Sequence, residues 1–257
     1  MEIGARGELA RVDADARDAA GARRLPGPVL PGMPNLHSHA FQRAMAGLTE
    51  RRGRAGDDFW TWRETMYRFV SRLTPELIEA VAAQLYVEML EAGYTSVAEF
   101  HYLHHDTGGN AYADIAETSN RIVGAAATAG IFLCHLPVVY ERAGFDDAPL
   151  SPGQRRFAND ADQYCRLLDA VWDRHADRDQ VRIGIALHSL RAVGETTMNR
   201  VLEYADTRGT DLPVHIHVAE QVREVEHCVA RLGARPIQWL YDHAAVDRRW
   251  CLVHATH

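Results

Sequence analysis

Pro34-Asn35-Leu36-His37-Ser38-His39 follows directly on the apolar run Pro28-Val29-Leu30-Pro31-Gly32-Met33, and whether this stretch is strand or helix sets the architecture of all that comes after it. The run is short, apolar and interrupted by proline and glycine, which suits a strand entering a buried sheet. Side chains two apart on a strand share a face. His37 and His39 then point together from the strand's C-terminal end, where they can converge on one divalent metal. In a chain with 14 histidines such a pair also arises by chance, so on its own it does not establish a site.

The same design recurs in Asp211-Leu212-Pro213-Val214-His215-Ile216-His217-Val218-Ala219-Glu220. A second apolar strand ends in histidines, with a carboxylate three residues past the last of them. A catalytic zinc keeps protein ligands on three or four sides and an open position for water, whose pKa falls to about 7. A third strand-like run, Arg249-Trp250-Cys251-Leu252-Val253-His254, again closes on a histidine. Core packing does not account for three strand ends of this kind.

Composition fits a soluble enzyme. The 257 residues are 47% hydrophobic and 25% charged, enough to bury a sizeable core in one large α/β domain. The net charge of -7 and the absence of a basic stripe argue against nucleic acid as a partner. The densest basic cluster, Arg51-Arg52-Gly53-Arg54, runs at once into Asp57-Asp58 and reads as a solvated loop. Cys134, Cys165, Cys228 and Cys251 are far apart and lack Cys-x-x-Cys spacing, which argues against a disulfide framework and against a thiolate zinc site. No apolar stretch reaches the roughly 18 residues of a membrane span and no signal-peptide core opens the chain. The expectation is a cytoplasmic protein with no membrane partner.

Along the chain, strand-like and helix-like segments alternate. Thr74-Pro75-Glu76 opens a helix, with threonine as N-cap and proline at the first helical position, that stops near Gly93. Tyr94–Phe100, Ile131–Tyr140 and Val181–His188 read as strands. Helices are expected over about 111–129, 158–175, 195–209, 222–232 and 236–242. Six strands separated by helices predict a parallel sheet with right-handed crossovers, and the chemical residues fall at strand C-termini, the active-site face of a (β/α)8 TIM-type barrel. A doubly wound open sheet competes, but it lacks a glycine-rich phosphate turn after the first strand. A closed barrel needs eight strands, and this sequence stops just after the sixth.

Taken together, Leu30-Pro-Gly-Met-Pro-Asn-Leu-His37-Ser-His39-Ala-Phe-Gln42-Arg43, Trp62-Arg63-Glu-Thr-Met-Tyr67, Glu99-Phe-His-Tyr102-Leu-His-His105, His188-Ser-Leu-Arg191 and His215-Ile-His217-Val-Ala-Glu220 resemble the amidohydrolase superfamily. The motif set is most similar to its formimidoylglutamate deiminase branch, which serves histidine degradation. The resemblance covers nearly all of residues 28–257. It implies a metal-dependent hydrolase-type barrel with one divalent metal, zinc first, held by the His-x-His pair, a histidine ending strand five and an aspartate ending strand eight. His37, His39 and His217 match the first three. The aspartate would lie beyond residue 257, so the sequence reads as a catalytic domain over 28–257 truncated by two βα units. Residues 1–27 read as the remnant of a small N-terminal β domain or as a linker. Members of the superfamily are often homodimers, which makes a homodimer the expected assembly.

The implied reaction is the hydrolysis of N-formimidoyl-L-glutamate to N-formyl-L-glutamate and ammonia. Glu220 would carry the proton and His254 would orient the water and stabilise developing charge. An acidic small-molecule substrate needs cationic partners, and Arg191 suits bidentate carboxylate binding. Gln42, Tyr102 and His188 match family positions that contact substrate, and Arg63 approaches from the tryptophan-rich loop.

Each assignment has a plainer counterpart. Arg191 alone would be a surface arginine, and Glu220 an acid in a first helical turn. His215 reads as a hydrogen-bonded core histidine one layer below His217. His101, His104 and His105 read as solvated or substrate-adjacent loop residues rather than a second metal site. Cys134 and His135 read as packing residues. Trp60, Trp62 and Tyr67 serve equally as core or as a cover over the site. Two functional alternatives stay open: an aminohydrolase acting on a purine, pyrimidine or guanidine-like compound, and an inactive fragment lacking the strand-eight aspartate. Imidazole and carboxylate ligands also admit iron or another divalent ion in place of zinc.

Overall fold

The computed structural model of the protein describes residues 1–4, 9–15, 20–48, 59–209 and 211–257, so the Arg51-Arg52-Gly53-Arg54 cluster and the side chain of Trp60 lie outside the described residues. Near the N-terminus β1 (Glu2–Ile3) and β2 (Leu9–Arg11) form a small antiparallel pair. Then come β3 (Met33–Ser38), a 3-10 turn over Ala40–Met45, α1 (Phe59–Val70), α2 (Pro75–Glu91), β4 (Tyr94–His101), α3 (Glu117–Ala129) and β5 (Phe132–Val139). A second 3-10 turn (Pro152–Phe157) leads to α4 (Ala161–His175), β6 (Val181–Ile183), β7 (Ile185–Ser189), α5 (Glu195–Arg208) and β8 (Val214–Val218). The last elements are α6 (Val222–Leu232), α7 (Pro236–His243) and β9 (Trp250–His254).

All pairings from β3 to β9 are parallel, in the order β3-β4-β5-β7-β8-β9 with β6 beside β5. Strand order and side-chain contact together prove the sheet curled. In a flat sheet β3 and β8, four places apart, would be separated by about 19 Å, yet His37 and His217 approach within 3.1 Å. This is the geometry of a β/α barrel wall, with helices outside and the active-site face at the strand C-termini.

Local chemistry explains the elements. Thr74 Oγ1 accepts the Leu77 N–H at 3.3 Å and Pro75 fills the first helical position of α2. Asp160 and Gln163 exchange side-chain and backbone hydrogen bonds in a capping box at the start of α4. Outside the sheet, α2 and α3 bury Ile78, Tyr86 and Ile122, while Leu133 and Leu136 of β5 are fully enclosed. Among the described residues no helix is long and apolar enough to cross a membrane.

The structure departs from the sequence reading at three places. The run 28–32 precedes the first strand instead of forming it: Val29 and Leu30 are 42% and 84% exposed, and prolines 28 and 31 cannot donate to a ladder. The segment Val181–His188 divides at Gly184. A Cβ there would stand 2.7 Å from the Pro213 carbonyl oxygen and from Leu136 Cδ2, so only glycine lets the chain pass. The Gly184 N–H donates to His135 O, the next N–H, of Ile185, donates to Pro213 O, and the chain thereby reaches over from β5 toward β8. The tryptophan-rich segment that carries Arg63 is helix α1, with Trp62 packed half-buried against the core.

Candidate metal centre

His37 lies near the end of β3, His39 one residue past it, and His217 near the end of β8. Their Nε2 atoms form a nearly equilateral triangle: 3.0 Å between His37 and His39, 3.2 Å between His39 and His217, and 3.1 Å between His217 and His37. Among the described residues this is the one group of three or more His, Cys, Asp or Glu side chains that could hold a metal ion.

Hydrogen bonding fixes what those nitrogens offer. His39 Nδ1–H donates to the Phe100 carbonyl at 3.0 Å, and His217 Nδ1–H donates to the His188 carbonyl at 3.0 Å. A neutral imidazole carries one N–H, so both Nε2 atoms present bare lone pairs toward each other. Two lone pairs at that distance repel. Burial, first, and then the neighbouring rings push the His37 pKa down to about 2, and burial pushes His39 down to about 4 against the opposing pull of the Phe100 carbonyl. Burial, followed by His39, His188 and His37, holds His217 well below the ordinary histidine value. All three rings are therefore neutral at pH 7, the ligand form. A tetrahedral zinc with bonds of about 2.0–2.1 Å holds its nitrogens about 3.3 Å apart, close to the spacing observed. The donor set fits a divalent ion such as zinc, and a carbonyl partner on the far nitrogen is the usual companion of a metal-binding histidine.

Glu220 and His254 come together beside this triangle. His254 stacks on His217 with ring centroids 5.5 Å apart, and its Nε2 lies 3.7 Å from Glu220 Oε1. The backbone that brings them there is strained: Ala219, His254 and Ala255 adopt φ of 53°, 69° and 49°. Each such residue costs about 1–2 kcal/mol without glycine's freedom. Main-chain bonds hold the turn, with Ala255 N–H donating to Val218 O at 2.9 Å and Thr256 N–H to Ala219 O at 3.2 Å. Glu224, in the first turn of α6, accepts the Ala219 and Glu220 N–H groups at 3.3 and 3.1 Å. Sequence reading did not single out Glu224, whose acid-at-helix-start pattern is shared with Glu220.

The predicted substrate contacts fall into two groups. Gln42 Nε2 donates to Tyr102 Oη at 3.1 Å, and the Tyr102 ring stands edge-on to His39 and His188, with centroids 5.2 and 5.6 Å away. Tyr140 packs against His188 at 4.5 Å, and Phe157 against Tyr102 at 4.9 Å. The aromatic wall is thus made by Tyr102, Tyr140 and Phe157. Arg191 and Arg63 line one cavity, and after burial both help to hold His188 well below the ordinary histidine value. Arg63 also sits over the Tyr67 ring at 5.7 Å.

Two further contributors escaped the sequence reading. Phe100 supplies the carbonyl to His39, and its ring lies 4.4 Å from His217 and 5.2 Å from His37. Glu99, fully buried, accepts the Ala40 N–H at 2.6 Å and so fixes the chain just after His39; burial raises its pKa to about 7. A single acid inside the apolar run Tyr94–Phe100 was the available signal.

The remaining histidines settle elsewhere. His101 and His104 are buried rather than solvated: His101 ends β4 and its Nε2 pairs with Thr118 Oγ1 at 3.1 Å, and His104 Nε2–H donates to Val138 O at 2.9 Å. His105, half-buried, is bound to the Ala158 carbonyl at 2.5 Å. His215 is a core residue stacked 6.5 Å from His37, but its Nδ1 has no hydrogen-bond partner. His135 is fully buried in β5, whereas Cys134 is half-buried and His257 exposed.

The chain is 58% identical over 257 residues, all of its length and 56% of the relative's, to formimidoylglutamate deiminase of Pseudomonas aeruginosa. It is 29% identical over 236 residues, 89% of the chain and 48% of the relative, to 8-oxoguanine deaminase of the same organism. An amidohydrolase from Brucella melitensis superposes with a TM-score of 0.85 at 51% identity, over 92% of this chain and 53% of that one. The chain spans about half the length of the curated relatives it matches. The amidohydrolase family profile matches residues 29–257, which carry every histidine, acid and arginine of the centre just described, and the chain belongs to that family.

Proposed function

We propose that this chain carries the ligand triangle and acid/base pair of a zinc-dependent deiminase that converts N-formimidoyl-L-glutamate to N-formyl-L-glutamate and ammonia. The observation that carries the reading is the triangle of Nε2 atoms at 3.0–3.2 Å, two of them held as lone pairs by backbone carbonyls, with Glu220 alongside. The 58% identity to a formimidoylglutamate deiminase supports the choice of substrate.

His37, His39 and His217 would hold a divalent ion, which when bound would supply acidification of water near neutral pH. The chain's own groups do the rest. In R–NH–CH=NH + H2O → R–NH–CHO + NH3, oxygen adds to the formimidoyl carbon and the C–N bond to the terminal nitrogen breaks. Glu220 moves the water's two protons to that nitrogen in turn, the first as oxygen adds and the second as the tetrahedral hydroxyl collapses to the carbonyl, so that ammonia and not an amide anion departs. His254, 3.7 Å from Glu220, orients the attacking water. Tyr102, Tyr140 and Phe157 exclude bulk water, which strengthens each charge interaction inside. Arg191, with Arg63 across the same cavity, pairs with a substrate carboxylate.

The test is ammonia release by the zinc-loaded protein from N-formimidoyl-L-glutamate, run beside a panel of purine and pyrimidine amines. Turnover of the acidic substrate is expected to dominate. Faster release from a heterocycle overturns the assignment in favour of a ring aminohydrolase.

A further inference from the structure

The cavity that Arg63 and Arg191 share has a third wall that the proposed reaction does not use. It measures about 450 Å³, and α6 contributes Arg223, His227 and Arg231 to its lining. These positions lie at i, i+4 and i+8, so they occupy one helical face as a ladder with rungs about 6 Å apart. Three separate elements, α1, the turn after β7 and α6, therefore aim cations into one space. Asp146 is the one carboxylate among the described lining residues. In a chain of net charge -7 this concentration of four arginines is not a sample of the average surface.

Two further observations point to a ligand. The Nε of Arg191 is buried and has no hydrogen-bond partner in the protein, and an unpaired buried guanidinium nitrogen carries a desolvation cost that an anion would relieve. The α6 ladder is also tied to the reaction centre, because Glu224, buried and beside the ladder on α6, accepts the N–H groups of Ala219 and Glu220. The outer face of the same helix thus keeps a fixed position relative to the proton carrier.

We propose that Arg223, His227 and Arg231 form an outer carboxylate station, separate from the inner Arg63 and Arg191 contacts, that captures dicarboxylates at the cavity mouth and selects substrates bearing a second negative charge. A cavity in which four arginines face a single carboxylate, beside the apolar surface of Phe145, focuses a positive potential and raises the local concentration of anions. The inference rests on the reading of the substrate as acidic and adds to it where the second charge is recognised.

The experiment is titration calorimetry of the zinc-loaded chain with glutarate, a dicarboxylate that cannot react, and with its neutral counterpart glutaramide, at low and at moderate sodium chloride. Glutarate is expected to bind with an affinity that falls as salt rises, and glutaramide to bind far more weakly. The double variant Arg223→Gln/Arg231→Gln is expected to weaken glutarate binding about tenfold and to flatten the salt dependence, with zinc content per chain unchanged. All three ladder side chains are exposed, so these changes leave the core intact, and circular dichroism checks that the fold is kept. Glutarate binding equal in variant and parent overturns the outer station while leaving the acidic-substrate reading in place. A parent that binds glutaramide as tightly as glutarate overturns both.

Discussion

Replacing His135 by leucine should make the metal-free protein more tolerant of acid. The ring is fully buried in β5, at the position paired with Glu99 of β4, and neither nitrogen has a hydrogen-bond partner in the protein. Burial, then His175 and His104, pushes its pKa down to about 3. In the unfolded chain the same ring titrates near 6.5. On acidification the unfolded chain takes up a proton that the folded chain refuses, so full stability holds above pH 6.5 and drains away as pH falls from there toward 3. At pH 5.5 the loss is RT ln 11, about 1.4 kcal/mol for one such ring. His101 and His104, fully enclosed beside it and also held far below the ordinary value by burial, bring the loss for the three to about 4 kcal/mol, a large share of a typical folding stability of about 5–15 kcal/mol. Urea unfolding with EDTA present, at pH 7.5 and 5.5, measures it. The His135→Leu variant should lose about 1.4 kcal/mol less than the parent between those two values. An identical loss in both proteins refutes the reasoning, since it would mean that the ring charges freely where it sits.

Zinc at a hundredfold excess over its dissociation constant should stabilise the parent by about 2.7 kcal/mol, a rise in Tm of about 5 °C for a chain of this length; calorimetry of His217→Ala should show no such rise. Glu220→Gln should lower kcat by about 10²–10⁴-fold while zinc per chain, read by elemental analysis, stays the same. Glu99→Leu leaves the buried Ala40 N–H without its acceptor and should cost about 1–3 kcal/mol in urea unfolding, with most of that restored in Glu99→Gln; a Leu variant as stable as the parent would show that this bond does not secure the ligand turn. Arg191→Ala should raise KM for the acidic substrate by about tenfold or more, since a charge-assisted bond is worth about 1.5–3 kcal/mol, and an unchanged KM in steady-state assays would remove Arg191 from substrate binding.

The parts of the centre that obey short-range periodicity were legible in the sequence. His37 and His39 share a face because strands repeat every two residues, and α6 runs over 222–232 as its flanking residues predict. Long-range contacts left no such trace. His104 and His105 belong to a stretch that looks like an exposed loop, yet their N–H groups donate to the Arg156 carbonyl while Arg156 Nε returns a bond to His105 O, and this clasp across fifty residues draws the histidines inward. The break at Gly184 depends on how close Pro213 approaches, which no local pattern records. Main-chain groups are harder still: the Phe100 and His188 carbonyls that set the ligand rings have no residue-type signature at all.

That last feature bears on how such a site can change over evolutionary time. Because peptide oxygens, and not side chains, decide which nitrogen of His39 and of His217 keeps its hydrogen, positions 100 and 188 can be rewritten to welcome a different molecule without scrambling the proton map of those two ligands. The scaffold separates inheritance of reactivity from innovation in selectivity, and the alignment of neighbouring strands is the part that must be copied faithfully.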